Sequence, residues 1–464
     1  MPRASHVVER SSGLPASAET VYAWHGRPGA LERLTPPWER VEVIEPGAGL
    51  ADGSRTVLTV REGLIPLHWV ARHRDVIVGR QFVDVQEEGP FTRWTHLHKF
   101  EPNGPESSII TDRIEYVPPL GSAGAMVAPL LVKRRLERLL SYRHDLLRAD
   151  LEAQSRFAGH APMRLAVTGA TGLVGHSLLP FLRTGGHEVR RMTRSPRLPG
   201  DVAWSYGEGR IEAVKLDGLD GVVHLAGETI AARWTESRKK RIWESRAIGT
   251  RFLCETLARL HRPPRVLVCA SAVGIYGDRG DEVLTEESPL PPPSTDFLSG
   301  VAREWEVATE PAREAGIRVV NLRFGVILTP AGGALARLLL PFRLGLGGRI
   351  GNGRQWMSWI GIDDVTGVIH HALLADEVSG PVNATSPHPR TNQEFSAAIG
   401  RALGRLARIP VPAGVIKLAL GEMGEAALLS SARVIPSRLQ ASGYVFRHPH
   451  LPGALKFLLG TASE

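Results

Sequence analysis

The segment from Gly169 to Gly175 is rich in glycine and could bind phosphate. Glycine recurs at every third position, a short apolar run (164–168) comes before the segment, and a longer apolar stretch follows it. Glycines permit a tight turn and close approach of backbone to a pyrophosphate, which the N-terminus of a following helix attracts. A plain turn is the alternative, but a strand before the motif and a helix after it favour a nucleotide site. Its expected residues are Gly169, Ala170, Thr171, Gly172, Leu173, Val174 and Gly175.

A second apolar run, 188–192, ends in Thr193 and Arg194. Sites for NAD usually place an acidic residue at this point to bind the ribose 2′-hydroxyl, whereas arginine accommodates a 2′-phosphate. We therefore predict that the cofactor is NADP(H) and that Thr193 and Arg194 contact it. The alternative is an exposed arginine with no ligand.

The elements that must position these residues divide the chain in two. Residues 1–158 show a short helical start near Ser17, alternating apolar runs with turns between them, and a helical pattern over 122–157, which predict an antiparallel sheet with a long C-terminal helix. After a Gly- and Pro-containing linker, strands alternate with helices, which predicts a parallel sheet. We expect a nucleotide-binding domain over 163–330 and a substrate or lid region over 331–464.

Composition excludes several classes of protein. The chain has 464 residues, of which 43% are hydrophobic and 22% are charged, as in ordinary globular proteins. Two cysteines, Cys254 and Cys269, rule out a disulfide framework. No apolar run reaches the ~20 residues of a membrane span, and the N-terminus lacks a signal peptide, so we expect a soluble, cytoplasmic protein. The net charge of +8 is scattered, so we expect neither nucleic acid nor membrane as a partner.

Two resemblances follow from these motifs. Residues 1–158, with the motif Leu34–Trp38, resemble the polyketide-cyclase and START-like superfamily, which implies a helix-grip fold and an apolar ligand. Residues from 163 to about 460 resemble the NAD-dependent epimerase/dehydratase family, in an atypical branch of the extended short-chain dehydrogenases. The segments His224–Glu228, Arg233–Thr235 and Pro341–Gly348 carry this second resemblance. It implies an α/β fold with a doubly wound parallel Rossmann sheet, preceded here by the α+β helix-grip domain.

The second resemblance also implies site residues. A strand end made of small residues would let the cofactor approach Leu225, Ala226, Gly227 and Glu228. Ser271 matches the catalytic serine that holds the substrate oxygen, although its spacing to Tyr276 is one residue longer than usual. Arg246 stands where the family has an asparagine on a helix. Two roles are open for it, a contact with the cofactor or an anionic substrate, and a surface salt bridge.

The tyrosine and lysine that move the proton in this family are missing. Leu298 and Ala302 stand at their positions, and neither can transfer a proton. Tyr276 could substitute, but a structural role is favoured. In the first domain, His96 and His98 alternate onto one face of a strand. With no third ligand nearby in the sequence, we predict no metal site there, and a ligand-lining role if that face points inward.

Two functions therefore remain open. The first is an NADP(H)-dependent oxidoreductase or epimerase that acts on a small carbonyl or hydroxyl compound. The second is an NADPH-binding regulatory or ligand-carrier protein without turnover. The substrate and the oligomeric state are not predicted.

Overall fold

A computed structural model describes residues 5–63, 65–118, 128–292 and 296–461. It divides into two compact units. The first unit comprises Met1–Gly159, Arg183–Gly186 and Gly460–Glu464, and the second comprises His160–Leu182 and His187–Leu459. The further boundary that we expect at residue 330 stays a prediction.

The first unit is an antiparallel sheet with two short helices and one long helix. The sheet has the order β1-β7-β6-β5-β4-β3-β2. The predicted long helix is confirmed over Ala128–Ser155, and the first predicted residues of that helix lie outside the described ones. The elements are β1 (His6–Leu14), α1 (Ala18–Gly26), α2 (Ala30–Leu34), β2 (Val41–Glu45), β3 (Arg55–Glu62), β4 (Ile65–Ile77), β5 (Gln81–Glu88), β6 (Arg93–Pro102), β7 (Ser108–Val117) and α3 (Ala128–Ser155).

Local chemistry explains how this unit folds. Ser17 caps α1 by accepting a hydrogen bond from the backbone N–H of Thr20. Large side chains from different elements fill the core, among them Trp24, Phe100 and Leu147, which are at most 1% exposed. The helix-grip arrangement expected from the resemblance is confirmed.

The second unit begins with alternating strands and helices. Its first half contains β8 (Arg164–Thr168), α4 (Leu173–Thr184), β9 (Glu188–Thr193), β10 (Val202–Ser205), β11 (Arg210–Ile211), β12 (Gly221–His224), α5 (Glu236–Ala258), β13 (Val266–Ala272), β14 (Val283–Leu284), α6 (Phe297–Val307), α7 (Glu310–Glu314) and β15 (Arg318–Phe324). Its second half contains β16 (Val326–Leu328), α8 (Gly333–Arg343), β17 (Trp356–Met357), β18 (Trp359–Gly361), α9 (Ile362–Leu374), β19 (Gly380–Ala384), β20 (Arg390–Thr391), α10 (Asn392–Ala402), α11 (Ala413–Leu420), α12 (Glu422–Gly424), β21 (Arg433–Val434), α13 (Ser437–Ala441) and α14 (Leu451–Leu459).

The central sheet of this unit has the order β11-β10-β9-β8-β12-β13-β15-β19. Every pair in it is parallel except β10 with β11. The strand order reverses direction between β8 and β12, and ligands bind at the carboxyl ends of the strands beside such a switch point. The predicted doubly wound Rossmann sheet is confirmed, and it places the glycine-rich segment at that point.

No helix among the described residues is long and apolar enough to cross a membrane. The cytoplasmic location stays a prediction.

Candidate functional site

The glycine-rich segment connects β8 to α4 in a turn that only glycine fits at two positions. Gly169 has a φ of +66°, and a Cβ on it would lie 2.8 Å from the carbonyl carbon of Leu225. A Cβ on Gly175 would lie 2.3 Å from the Gly169 carbonyl oxygen, so helix and turn pack directly together. The first N–H groups of α4 have no partner within the helix. This arrangement suits a phosphate at the helix N-terminus.

A buried hydrogen-bonded chain fixes the neighbouring loop at the end of β12. The Thr168 hydroxyl oxygen accepts from the backbone N–H groups of Leu225 and Ala226 at 3.1 and 3.2 Å. His224 lies between two hydroxyls, with Nδ1 2.7 Å from Thr168 and Nε2 2.9 Å from Thr250. Burial and, to a smaller extent, the charge of Arg246 together lower the pKa of His224 to about 4, so the ring is neutral at pH 7.

The end of β9 carries the two residues expected at the adenosine ribose. Thr193 is partly buried, and its hydroxyl accepts from the backbone N–H of Ser195 at 3.3 Å. Arg194 is exposed, and its carbonyl accepts from the guanidinium of Arg210 at 3.1 Å. Because β9 is the neighbour of β8, both residues lie on the same edge of the sheet as the glycine-rich segment. The exposed side chain of Arg194 would suit an anionic ligand, whereas the guanidinium of Arg210 is paired with Glu208 at 3.2 Å.

Arg246 on α5 lies against the loop after β12. Its guanidinium carbon is 4.7 Å from the ring centre of Trp305, and Nη1 donates to the Glu228 carbonyl at 2.9 Å. A Cβ on Gly227 would lie 3.2 Å from this guanidinium. Burial lowers the pKa of Arg246 to about 10, while Glu228 raises it. Arg246 forms no salt bridge among the described residues, so the alternative of a surface salt bridge is not seen there, and its charge suits an anion.

Ser271, at the end of β13, is part of a buried ion-pair network. Its hydroxyl donates to Glu306 Oε1 at 2.7 Å, and the residue is only 3% exposed. Arg323 binds both oxygens of the same carboxylate, from Nε and Nη2 at 2.8 Å each. That Ser271 holds a substrate oxygen stays a prediction, and in the structure its hydroxyl is directed to Glu306. Glu306 is the partly exposed member of the three.

Tyr276 closes the other side of this network. Its hydroxyl accepts from Arg323 Nη1 at 2.9 Å and donates to Asn383 Oδ1 at 2.7 Å. Ser271, Arg323 and Asn383 are register partners on β13, β15 and β19, so they lie side by side. Tyr276 is fully buried, and burial raises its pKa. These contacts agree with a structural role and give the hydroxyl no open path to a substrate.

The positions of the missing tyrosine and lysine are packed against apolar side chains. Leu298 lies in a cluster with Trp234 and Met423, and its Cβ is 3.5 Å from where a Cβ on Gly274 would stand. Ala302 is 3% exposed and packs with Ile275 and Val434, among others. Neither position offers a proton donor or acceptor.

Sequence reasoning did not identify Glu306, Arg323 or Asn383 as parts of the site. Arg323 and Asn383 lie in strands whose neighbouring residues are apolar and buried. A charged or amide residue within such a strand must find a buried partner, which is the signal that could have indicated them. The partner of Arg323 is Glu306 on α6, and the spacing of residues along the sequence does not identify it.

The histidine face of the first unit points into its core. His96 and His98 are each 4% exposed. The prediction of no metal site assumed that no third ligand lies nearby, and this assumption is wrong. Asp84 on β5 offers an oxygen within 4.8 Å of a nitrogen of each histidine.

Comparisons with known proteins agree with this architecture. Residues 165–384 match the model of the NAD dependent epimerase/dehydratase family. Residues 14–142 match that of polyketide cyclase/dehydrase and lipid transport, and residues 411–458 match a domain of unknown function. An epimerase family protein of Mycobacterium tuberculosis is 38% identical over 295 residues, which cover 63% of this chain and 96% of that protein. The human epimerase family protein SDR39U1 is 38% identical over 297 residues, covering 63% and 99%.

Two solved structures are similar as well. One is described as a nucleoside-diphosphate sugar epimerase from Corynebacterium glutamicum, with 35% identity and a TM-score of 0.81 over 98% of this chain and 90% of that one. The other is human SDR39U1 with NADPH, with 37% identity and a TM-score of 0.60 over 65% of this chain and all of that one.

Proposed function

The chain belongs to the NAD dependent epimerase/dehydratase family, and from that premise we propose that it is an NADP(H)-dependent oxidoreductase or epimerase. Its substrate would be a small compound with a carbonyl or hydroxyl group. The resemblance to this family is confirmed, as is that of the first unit to the polyketide cyclases. The observation that carries the proposal is the turn at Gly169–Gly175. Its close contacts leave no room for side chains at Gly169 and Gly175, so a pyrophosphate could approach the backbone.

The proposed cofactor site uses the residues expected from the sequence. The N–H groups at the start of α4 would bind the pyrophosphate, and Thr193 and Arg194 would bind the 2′-phosphate ribose. The loop 225–228 and Arg246 would line the site between the pyrophosphate and the ribose. Arg246 suits this place because its guanidinium has no carboxylate partner among the described residues. NADP(H) supplies hydride transfer when bound. The structure of the relative with NADPH supports this choice.

We propose that Glu306 moves the proton that the missing tyrosine would have moved. Its carboxylate is the partly exposed member of the network, so it could accept a proton from a substrate hydroxyl, and the cofactor would accept the hydride from the substrate carbon. Ser271 would then be a positioning residue, because its hydroxyl holds Oε1 of this carboxylate. In reduction the same carboxyl would return the proton.

The alternative function is an NADPH-binding regulatory or carrier protein. It is favoured by the apolar packing of Leu298 and Ala302, which leaves no tyrosine–lysine pair. The first unit would hold an apolar ligand in either case, as its similarity to lipid-transport domains suggests.

Cofactor binding is tested by fluorescence titration of NADPH and NADH. We expect NADPH to bind at least about tenfold more tightly, which is about 1.4 kcal/mol. Arg194→Ala should remove most of this preference, whereas Arg197→Ala, at a nearby exposed arginine, should keep it. Equal affinities of the wild type for both cofactors would refute the 2′-phosphate assignment.

Turnover is tested by following cofactor absorbance with a panel of carbonyl and hydroxyl compounds. The panel includes nucleoside-diphosphate sugars because of the description of the C. glutamicum protein. Glu306→Gln should lower kcat at least about 100-fold, the usual scale of general acid–base catalysis, with NADPH affinity unchanged. Ser271→Ala should lower it less. A wild type that binds NADPH and turns over nothing in the panel supports the carrier function instead.

A further inference from the structure

Two segments of the second unit consist only of basic and apolar residues. Residues 337–349 and 401–418 contain six arginines and one lysine, and every other residue in them is aliphatic, glycine, proline or phenylalanine. No aspartate or glutamate occurs anywhere in 331–362 or 395–421. A protein surface usually mixes charges of both signs, so a stretch with only positive charge and apolar side chains needs an explanation.

The two segments lie side by side in the fold. The backbone N–H of Ile409 donates to the carbonyl of Gly347 at 3.2 Å, and Nε of Arg405 donates to the carbonyl of Arg343 at 3.2 Å. The segments therefore form one continuous part of the molecule, which we call the basic apolar surface.

Large aliphatic side chains of the basic apolar surface face water. The helix α11 is apolar in sequence, yet none of its residues is buried. In both segments together, seven large aliphatic residues are 47–80% exposed. They are Leu340, Leu344, Leu346, Leu406, Ile409, Val415 and Leu418. Single exposed leucines are ordinary, but a group of them on one surface marks an interaction site.

The basic side chains of the same surface are exposed, and most have no acidic partner. Lys417 forms an ion pair with Glu425 at 2.6 Å. None of the six arginines forms an ion pair with a described residue. They are Arg337, Arg343, Arg349, Arg401, Arg405 and Arg408. Because the protein does not neutralise these charges, the surface attracts an anionic partner.

We propose that the basic apolar surface docks on the headgroup region of an anionic lipid bilayer. The arginines would contact the negatively charged headgroups, and the leucines would enter the boundary between headgroups and acyl chains. This partner is complementary to both components of the surface, since it offers negative charge and apolar depth together.

Other partners match only one of the two components. A second copy of the chain would bring the same positive charges together on a two-fold interface. A nucleic acid would neutralise the arginines but leave the leucines in water, and the aromatic residue of these segments, Phe342, is buried and cannot stack on a base. The bilayer is therefore the partner that the surface favours.

The proposal differs from our expectation of no membrane partner. That expectation rested on a net charge that is scattered along the sequence, whereas the fold brings 337–349 and 401–418 together. A protein that lies on a bilayer needs no spanning helix.

The experiment is vesicle flotation with the full-length protein. One set of vesicles is phosphatidylcholine alone, and the other contains about 30% phosphatidylglycerol as the anionic lipid. We expect at least about tenfold tighter binding to the anionic vesicles, and loss of this difference when salt rises from about 0.05 to about 0.5 M, because salt screens the attraction. Protein that stays unbound at low salt, or binds both vesicles equally, overturns the proposal. Binding of a DNA duplex without binding of the anionic vesicles also overturns it, in favour of nucleic acid.

Variants at exposed positions locate the contact. Arg405→Glu with Arg408→Glu should weaken binding to the anionic vesicles at least about tenfold. Leu344→Ser with Leu418→Ser keeps the charge and should also weaken binding, because fewer apolar side chains enter the bilayer.

The matched control reverses two charges elsewhere. Arg74→Glu with Arg265→Glu makes the same change in net charge at exposed arginines outside the basic apolar surface, and it should bind like the wild type. Circular dichroism and urea unfolding check the fold of each variant. Equal loss of binding in the control means that net charge alone attracts the protein, and wild-type binding by both surface variants means that another face docks. Either result overturns the proposal.

Discussion

Substitution of Gly175 by alanine tests the steric argument for the glycine-rich turn. The added Cβ would lie 2.3 Å from the Gly169 carbonyl oxygen and 2.7 Å from Ala170 Cα. Both are backbone atoms, so α4 must move away from the turn by the order of 1 Å to reach an ordinary contact. Overpacking of this kind costs about 1–3 kcal/mol. The displaced helix also carries the N–H groups proposed to bind the pyrophosphate, so NADPH affinity should fall with stability.

Gly172→Ala separates the two effects. A Cβ there would lie 3.1 Å from the Gly169 carbonyl oxygen and meet no other atom within 4 Å. The folded protein should therefore lose less than about 1 kcal/mol. A pyrophosphate that crosses the bare backbone at this point would collide with the methyl group, so affinity for NADPH should drop at least about tenfold.

The assays are urea unfolding and fluorescence titration of NADPH on each variant. Gly207→Ala is the control, because its φ is not positive and no atom lies within 4 Å of the added Cβ. Gly175→Ala should lose both stability and affinity, Gly172→Ala mainly affinity, and Gly207→Ala neither. If Gly172→Ala binds NADPH like the wild type, the pyrophosphate does not cross that residue. If Gly175→Ala is as stable as the control, the close contact carries no energy and the reasoning fails.

Three further predictions concern stability. Asp150→Ala should destabilise the first unit by about 3–5 kcal/mol in denaturant unfolding, because it leaves the buried Arg33 without the carboxylate that accepts two hydrogen bonds at 2.7 and 2.8 Å. Burial lowers the pKa of His224 from 6.5 to about 4, so the unfolded chain binds more protons between those values. The free energy of unfolding should then fall by up to about 3 kcal/mol as the pH drops through that window, and His224→Asn should flatten the fall. Separately expressed fragments 1–158 and 162–464 should each melt cooperatively, and an insoluble first fragment would contradict the boundary.

The fold was predictable where local pattern determines structure. The run at 164–168 before the glycines and the alternation around Trp94 and His96 each show their periodicity within a few residues. The strands β8 and β6 follow these patterns, and right-handed parallel connections leave few ways to order such strands. Short strands such as β17, β20 and β21 have two residues each and no period of their own, so they depend on tertiary contacts.

For the candidate site, the sequence could indicate only the side proposed to bind the cofactor. The turn at Gly169–Gly175 and the residue after β9 are close in sequence to the strands that place them. The network on the other side joins Ser271, Glu306 and Arg323 from three elements, and only the register of β13 with β15 brings the serine beside the arginine. The approach of Asp84 to His96 and His98 likewise depends on the pairing of β5 with β6. Spacing within one strand cannot reveal a partner that a neighbouring strand supplies.

The loss of the tyrosine and lysine is coupled to the rest of the site. A lysine at position 302 would place an ammonium group among Ile275, Tyr276 and Val434, where burial of a charge is costly. One helical turn further along α6, Glu306 forms an ion pair with Arg323, so the charged residue of this part of the helix lies at 306 and not at 302. Arg323 also donates a hydrogen bond to the hydroxyl of Tyr276, in the turn that follows β13, so this hydroxyl is already paired within the network. The apolar packing at 298 and 302 and the ion pair at 306 therefore form one arrangement. Restoring the two missing residues would disrupt this packing without releasing Tyr276, which favours the proposed proton transfer at Glu306 over one at positions 298 and 302.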